Sequence, residues 1–251
     1  MSSAPSRELR RLRQSISFHL AERGVGGVAS EALDLVRSYV SYPFLKGRWE
    51  REPLRFQGRS IPYARVSYNR AWRNERSVEL ALARDFLAQT DGRTLEVGNV
   101  LSHYMPVHHD ILDKYEASPG VMNEDVVDFT PEEPYERIIS ISTLEHVGWD
   151  ERPREPDKVL RAYQNLRKAL APEGAMLVTC PVGQNPHLDQ YLQDDALDFP
   201  VRVFLRRISS DNRWEEVGKQ EVRGAVYGSP FRNANALFVG IVPGTEQPWP
   251  G

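Results

Sequence analysis

The sequence predicts an α/β domain whose mostly parallel sheet is covered on both faces, carries an antiparallel C-terminal edge, and follows an N-terminal helical and hairpin extension. Three observations carry this. From residue 93 onward, strand-like apolar runs alternate with segments of helical spacing, the pattern of a sheet wrapped by helices. Two of the runs, ERIISIST and AMLVTCPV, are apolar almost throughout, as strands buried on both sides are. Finally, VRVFLRRI and ALFVGIVPG are separated by the turn-rich SSDNRW with no helical segment, which predicts strands running antiparallel at the sheet's end.

Taken in order, residues 6–40 read as helical, interrupted at RGVGGVAS, where Gly24, Gly26 and Gly27 end one helix and Ser30 caps the next. Leu9, Leu12, Ile16 and Leu20 fall on one side of the first helix, and Glu8 and Glu22 distinguish it from an acid-poor transit segment. Residues 41–68 mix aromatics, prolines and glycines, predicting short strands and turns in a surface extension or lid. NERSVELALARDFLAQ predicts a helix with Val78, Leu82 and Phe86 on one face, ended by TDG.

TLEVG is then the first strand of the sheet, HDILDKYE contains the second, and ERIISIST is another. Val159, Leu160, Tyr163, Leu166 and Leu170 recur at helical spacing, with Pro156 in the first turn and Pro172 and Gly174 as the stop. AMLVTCPV supplies a further buried strand, and GTEQPWPG reads as a tail. The expected division is an extension over 1–90, the sheet domain over 91–244 and a tail over 245–251.

A chain of 251 residues is long enough for one large domain with such an extension. Its net charge of −3 gives no reason to expect a polyanion, so no nucleic acid is expected as partner. The single cysteine, Cys180, excludes an intrachain disulfide framework and suits a reducing, cytoplasmic setting. No apolar run approaches the roughly 20 residues of a membrane-spanning helix, so a soluble protein is expected.

In an open α/β sheet, ligands bind beyond the carboxyl ends of the strands. Four such ends carry polar groups here: Glu96 and Gly98 after the first strand, Asp113 after the second, Asp125 in NEDVVDF, and LEHVG after residues 138–143. Asp113 lies 17 residues beyond Glu96, close to the roughly 20 at which an acid meets ribose hydroxyls. A dinucleotide also needs its pyrophosphate on a glycine-lined turn. Here GNVLSH places Val100 and Leu101 where backbone must approach phosphate, so the expected ligand is a nucleoside without phosphates.

On these residues, the segment from about 93 to 182 resembles the class I S-adenosylmethionine-dependent methyltransferases. LEVGNV resembles their first motif and DKYE their second acidic strand end. NEDVVDFTPEEPYERIISISTLEHVG resembles the region that holds adenine, LRKALAPEGAMLVTCPV their fifth strand with its preceding helix, and ALFVGIV their reversed strand. The resemblance implies a Rossmann-like methyltransferase sheet with S-adenosyl-L-methionine as cofactor. It implies that Glu96, Gly98 and Asn99 line the methionine end, that Asp113 takes the ribose hydroxyls, and that Asp125 with Val126 meets the adenine edge. Ser142, Leu144 and Glu145 would close the other side. The first motif departs from the family in having one glycine, followed by Asn99, Val100 and Ser102.

Methyl transfer needs alignment above all, and a base only where the acceptor loses a proton; His146 is the candidate base. His103, His108, His109 and Asp110 match no compact metal-ligand spacing, so no metal is expected. Tyr68, Trp72 and the charges of YNRAWRNERSVEL form either a solvated helix face or a wall of the acceptor pocket. In PVGQNPHLD, Asn185, His187 and Asp189 are either acceptor contacts or turn residues. STLEHV stands where nucleic-acid amino methylases carry an NPPY-type element, so the expected acceptor is a small molecule or a glycan hydroxyl. Two alternatives remain open: a catalytically silent module of the same fold that binds a partner, and a nicotinamide-dependent oxidoreductase.

Overall fold

In the computed structural model, which describes residues 52–89 and 92–244, the first element is a tight hairpin of β1 (Leu54–Phe56) and β2 (Arg59–Ile61). Gln57 and Gly58 both have positive φ, the two-residue turn whose twist matches a hairpin. Helix α1 (Arg76–Leu87) follows, with Val78, Leu82 and Phe86 fully buried on one face as their spacing predicts. The expected helices over residues 6–40 and the 245–251 tail lie outside the described residues. From Pro53 onward the described residues form one compact unit.

The sheet is built from β3 (Thr94–Val97), β4 (Asp110–Leu112), β5 (Val121–Met122), β6 (Tyr135–Ile141), β7 (Leu170–Pro181), β8 (Val201–Arg207), β9 (Trp214–Val217) and β10 (Ala236–Val242). Their order across the sheet is β5-β4-β3-β6-β7-β10-β8-β9. β5, β4, β3, β6 and β7 pair in parallel. β10 inserts antiparallel to both β7 and β8, and β9 adds an antiparallel edge. Helix α2 (Lys158–Ala169) bridges β6 and β7, and α3 (Pro186–Gln193) follows β7.

Alternation along the strands divides the core between the two faces. Ile138, Met176 and Val178 join Tyr163 and Leu166 of α2 in one apolar cluster. Ile139, Ile141 and Leu177 join Val78, Leu82 and Phe86 of α1, with Phe56 of the hairpin, in the other.

Two expectations need correction. Strands and helices do not alternate in the first half: among the described residues, only a short 3-10 turn, Leu101–His103, lies between β3 and β4, and only β5 between β4 and β6. Neither connection has a helical apolar repeat, and Pro106, Pro119, Gly120, Pro131 and Pro134 punctuate them. Nor do Pro172 and Gly174 stop the helix. α2 ends at Ala169 and β7 begins at once with Leu170, taking both residues into its irregular first stretch. There the pairing with β6 slips between Tyr135 and Arg137, as expected where proline removes a ladder donor.

Candidate cofactor and acceptor site

The strand order reverses between β3 and β6, because the chain runs outward through β4 and β5 before returning. At the carboxyl ends of these strands lies a cavity of about 490 Å³, within the ~300–1,000 Å³ range of small-molecule sites. Its wall includes Gly98, Asn99, Asp113, Asp125, Val126, Ser142 and His146 from the sequence-derived set. Glu96, Leu144 and Glu145 are absent from it, and all three side chains are buried in the protein instead.

Glu96 explains the single-glycine motif. Its Oε1 accepts hydrogen bonds from the Val100 and Leu101 amides at 2.8 and 2.7 Å, and its Oε2 lies 2.8 Å from His109 Nε2. A phosphate-binding turn would offer those amides to its ligand; here a buried side-chain carboxylate already holds them. The expectation that Glu96 lines the methionine end is therefore replaced by a supporting role beneath the turn. Gly98 has φ +84°, and a Cβ on it would stand 2.1 Å from Thr143 Oγ1. The glycine lets the turn after β3 close against the turn after β6.

The second strand end is tied to the first. Asp113 Oδ2 accepts from the Asn99 amide at 3.0 Å, and Oδ1 accepts from the Tyr115 and Glu116 amides at 2.9 and 2.8 Å. Asn99 Nδ2 donates to Glu116 Oε1 at 2.8 Å. Glu116 is a cavity residue that the sequence reading passed over, although its place three residues after Asp113 in DKYE was a usable signal.

On the opposite wall, Asp125 Oδ2 receives Lys114 Nζ and Lys158 Nζ, each at 2.7 Å. Both lysines also reach Glu151 Oε2, at 3.2 and 2.5 Å. Burial alone would raise the Asp125 pKa, but the two lysines outweigh it and hold it at about 2. Val126 lines the cavity beside it, and its carbonyl accepts from Asn165 Nδ2 at 2.8 Å. Nothing in the sequence pattern marked Lys158, which looks like any first-turn residue of an amphipathic helix.

The end of β6 completes the site. Ser142 lines the cavity with φ +41°. Its Oγ donates to Glu79 Oε1 at 2.5 Å, and Thr179 Oγ1 donates to the same oxygen at 2.8 Å. Glu79, fully buried and salt-bridged to Arg76, is thus not part of a solvated helix face. Glu145 turns inward, where burial disfavours its charged form and raises its pKa well above the usual carboxylate range. His146 is half-exposed, with Nδ1 2.5 Å from Asp150 Oδ2 and Nε2 3.4 Å from Gln184 Nε2.

Beyond β7, Asn185 caps α3 by accepting from the His187 and Leu188 amides, and its Nδ2 donates to the Glu145 carbonyl at 2.9 Å. Asp189 accepts from the Gly183 amide, and burial raises its pKa to about 6. Asp189 thus acts within its own turn, and Asn185 also ties that turn to the one after β6. The cavity as a whole is acidic: Asp113, Glu116, Glu124, Asp125, Asp150 and Glu151 line it, against Lys114 and His146.

The antiparallel β10 between β7 and β8, with a ligand-sized cavity at the point of strand reversal, defines the class I S-adenosylmethionine-dependent methyltransferase fold. No protein-family model matches the sequence, and no curated protein matches it significantly. Among solved structures, the chain is similar to the N-methyltransferase NodS from Bradyrhizobium japonicum in complex with S-adenosyl-L-homocysteine, at 14% identity, covering 82% of this chain and 98% of that one with a TM-score of 0.43. It is also similar to a SAM-dependent methyltransferase from Thermotoga maritima described as a possible histamine N-methyltransferase, at 12% identity, 65% and 88% coverage and a TM-score of 0.40. A third is the 1,6-didemethyltoxoflavin-N1-methyltransferase of Burkholderia thailandensis, at 14% identity, 66% and 76% coverage and a TM-score of 0.40. The fold assignment rests on strand order and not on these distant likenesses. Among the described residues, no helix is long and apolar enough to cross a membrane.

Proposed function

We propose that the protein transfers a methyl group from S-adenosyl-L-methionine to a small-molecule or glycan acceptor, with a hydroxyl as the preferred acceptor group. One observation carries the reading: the acid-lined cavity at the strand reversal has its phosphate-type amides already committed to Glu96. Such a site repels a pyrophosphate and suits an adenosyl group that ends in a sulfonium cation. The same feature weighs against a nicotinamide-dependent oxidoreductase.

The bound donor would supply an electrophilic methyl group. Gly98 and Asn99 would flank its amino-acid end, Asp113 and Glu116 would face the ribose hydroxyls, and Val126 would border the adenine. His146, on the cavity wall after β6, would receive the acceptor's proton. Helix α1 would shape the acceptor side, the placement that Ser142 and Glu79 favour by linking the cavity wall to it.

Calorimetric titration with S-adenosylhomocysteine, with NADH as the competing ligand, tests the reading. S-adenosylhomocysteine should bind and NADH should not. Asp113→Asn should weaken the binding by about tenfold or more, the weight of a hydrogen bond to a charged group, with thermal unfolding confirming that the variant folds. Binding of NADH alone would overturn the proposal. Transfer of labelled methyl groups to a panel of hydroxyl and amine acceptors then separates an active enzyme from a silent module.

A further inference from the structure

We infer that Asp150 and Gln184 are positioning residues that hold His146 in the tautomer with its proton on Nδ1, leaving the Nε2 lone pair, on the side of Gln184, available to take a proton. The inference rests on the proposed methyl transfer and extends it from one residue to a three-membered arrangement.

Read as hydrogen bonds, the two contacts to the imidazole agree on one arrangement of protons. Asp150 Oδ2, at 2.5 Å from Nδ1, is an acceptor only, so a hydrogen bond there requires a proton on Nδ1. Gln184 Nε2, at 3.4 Å from the ring's Nε2, is a donor only, so the ring nitrogen facing it supplies a lone pair. Both contacts therefore select the Nδ1–H tautomer of the neutral ring. This opposes the intrinsic preference of free histidine, whose neutral ring favours the proton on Nε2. The hydrogen bond made by one ring nitrogen commonly fixes the state of the other.

The elements around the ring supply the remaining context. Asp150 comes from the turn after β6, one helical turn beyond His146. Gln184 comes from the turn after β7, held by the Asp189 carboxylate on the neighbouring Gly183 amide. Glu145 Oε1 lies 3.7 Å from Nε2, but that carboxyl is fully buried and burial raises its pKa well above the usual range; the solvent-exposed carboxylate in hydrogen-bond contact with the ring is Asp150. In the reaction, a hydroxyl acceptor would displace the Gln184 amide and donate its own O–H to Nε2. A donor bound in the cavity would supply the methyl group to the acceptor oxygen, the electron pair of its carbon–sulfur bond staying on sulfur, and Nε2 would take the hydroxyl proton. The resulting imidazolium is stabilised by the Asp150 carboxylate and releases its proton to solvent.

The test is nitrogen-15 NMR of the imidazole side chains in the full-length protein, with His146 assigned by its loss in His146→Gln and the spectra taken with and without S-adenosylhomocysteine. At a pH where the ring is neutral, His146 should be predominantly Nδ1–H. Asp150→Ala should move the tautomer ratio toward Nε2–H by about fivefold, the weight of a partly exposed charge-assisted bond. Asp150→Asn, which retains an acceptor oxygen, should restore most of the Nδ1–H population. An Nε2–H ring in the wild type, or a ratio indifferent to Asp150→Ala, overturns the inference while leaving the methyltransferase proposal standing. Failure of the wild type to bind S-adenosylhomocysteine removes that proposal, and the catalytic role inferred here with it, whatever the tautomer.

Discussion

Gly98→Ala is the sharpest probe of how this site is assembled, because two separate costs can be read at one position. The residue has φ +84°, so any side chain there meets the left-handed backbone penalty, about 1–2 kcal/mol. The added Cβ would also stand 2.1, 2.7 and 2.9 Å from Oγ1, Cγ2 and Cβ of Thr143, an overpacking cost of about 1–3 kcal/mol. Together these predict a loss of about 2–5 kcal/mol, or roughly 5–15 °C in the unfolding midpoint for a domain of this size. Because the nearest atoms all belong to Thr143, a double-mutant cycle separates the costs. Gly98→Ala on a Thr143→Gly background should cost only the backbone part, about 1–2 kcal/mol, with a coupling of about 1–3 kcal/mol between the sites. The assay is chemical denaturation of the wild type, both single variants and the double variant. Unaltered stability in Gly98→Ala, or costs that add without coupling, would refute the argument that this glycine exists to seat the β3 turn against the β6 turn.

Glu96→Ala should destabilise the protein by about 3–5 kcal/mol, because it strands two backbone amides and the His109 contact. Glu96→Gln, which keeps an acceptor oxygen under the turn, should cost markedly less in the same denaturation experiment; equal costs would remove the supporting role. Asp125 titrates near 2 in the folded protein against ~3.9 when unfolded. Its lowered pKa contributes about 2 kcal/mol of stability that is complete above about pH 4 and lost as pH falls toward 2. The stability gap between wild type and Asp125→Asn should therefore shrink by about that amount between pH 5 and pH 2, and a constant gap would show that the lysines do not hold the carboxylate.

Much of this architecture is legible in the residues. The apolar runs at 94–97, 135–141 and 236–242 set the strands, the spacing of Val78, Leu82 and Phe86 sets α1, and the lack of an α-helix between β8 and β10, where only the short 3-10 turn Lys219–Val222 intervenes beside β9, sets the antiparallel edge. These are local signals, because period and side-chain bulk act within a few residues of chain. The strand ends that border the cavity were found the same way: Gly98, Asn99, Asp113, Asp125, Val126, Ser142 and His146 all lie on its wall.

What the chain could not show along its length is the direction in which each acid points. Glu96 and Glu145 look like site carboxylates in the sequence, but strand alternation and the turns that follow carry both into the interior, one beneath a pair of amides and the other to a fully buried position where its pKa is raised. Lys114, Lys158 and Glu151 come from three separate segments and meet only because α2 packs beside the β6 turn; Gln184 reaches His146 only because β6 and β7 are neighbours in the sheet. Sequence determined that carboxylates gather at the strand reversal. Tertiary packing decided which of them face the ligand, because a side chain's surroundings depend on contacts distant in the chain, whereas its secondary structure is largely written by its neighbours.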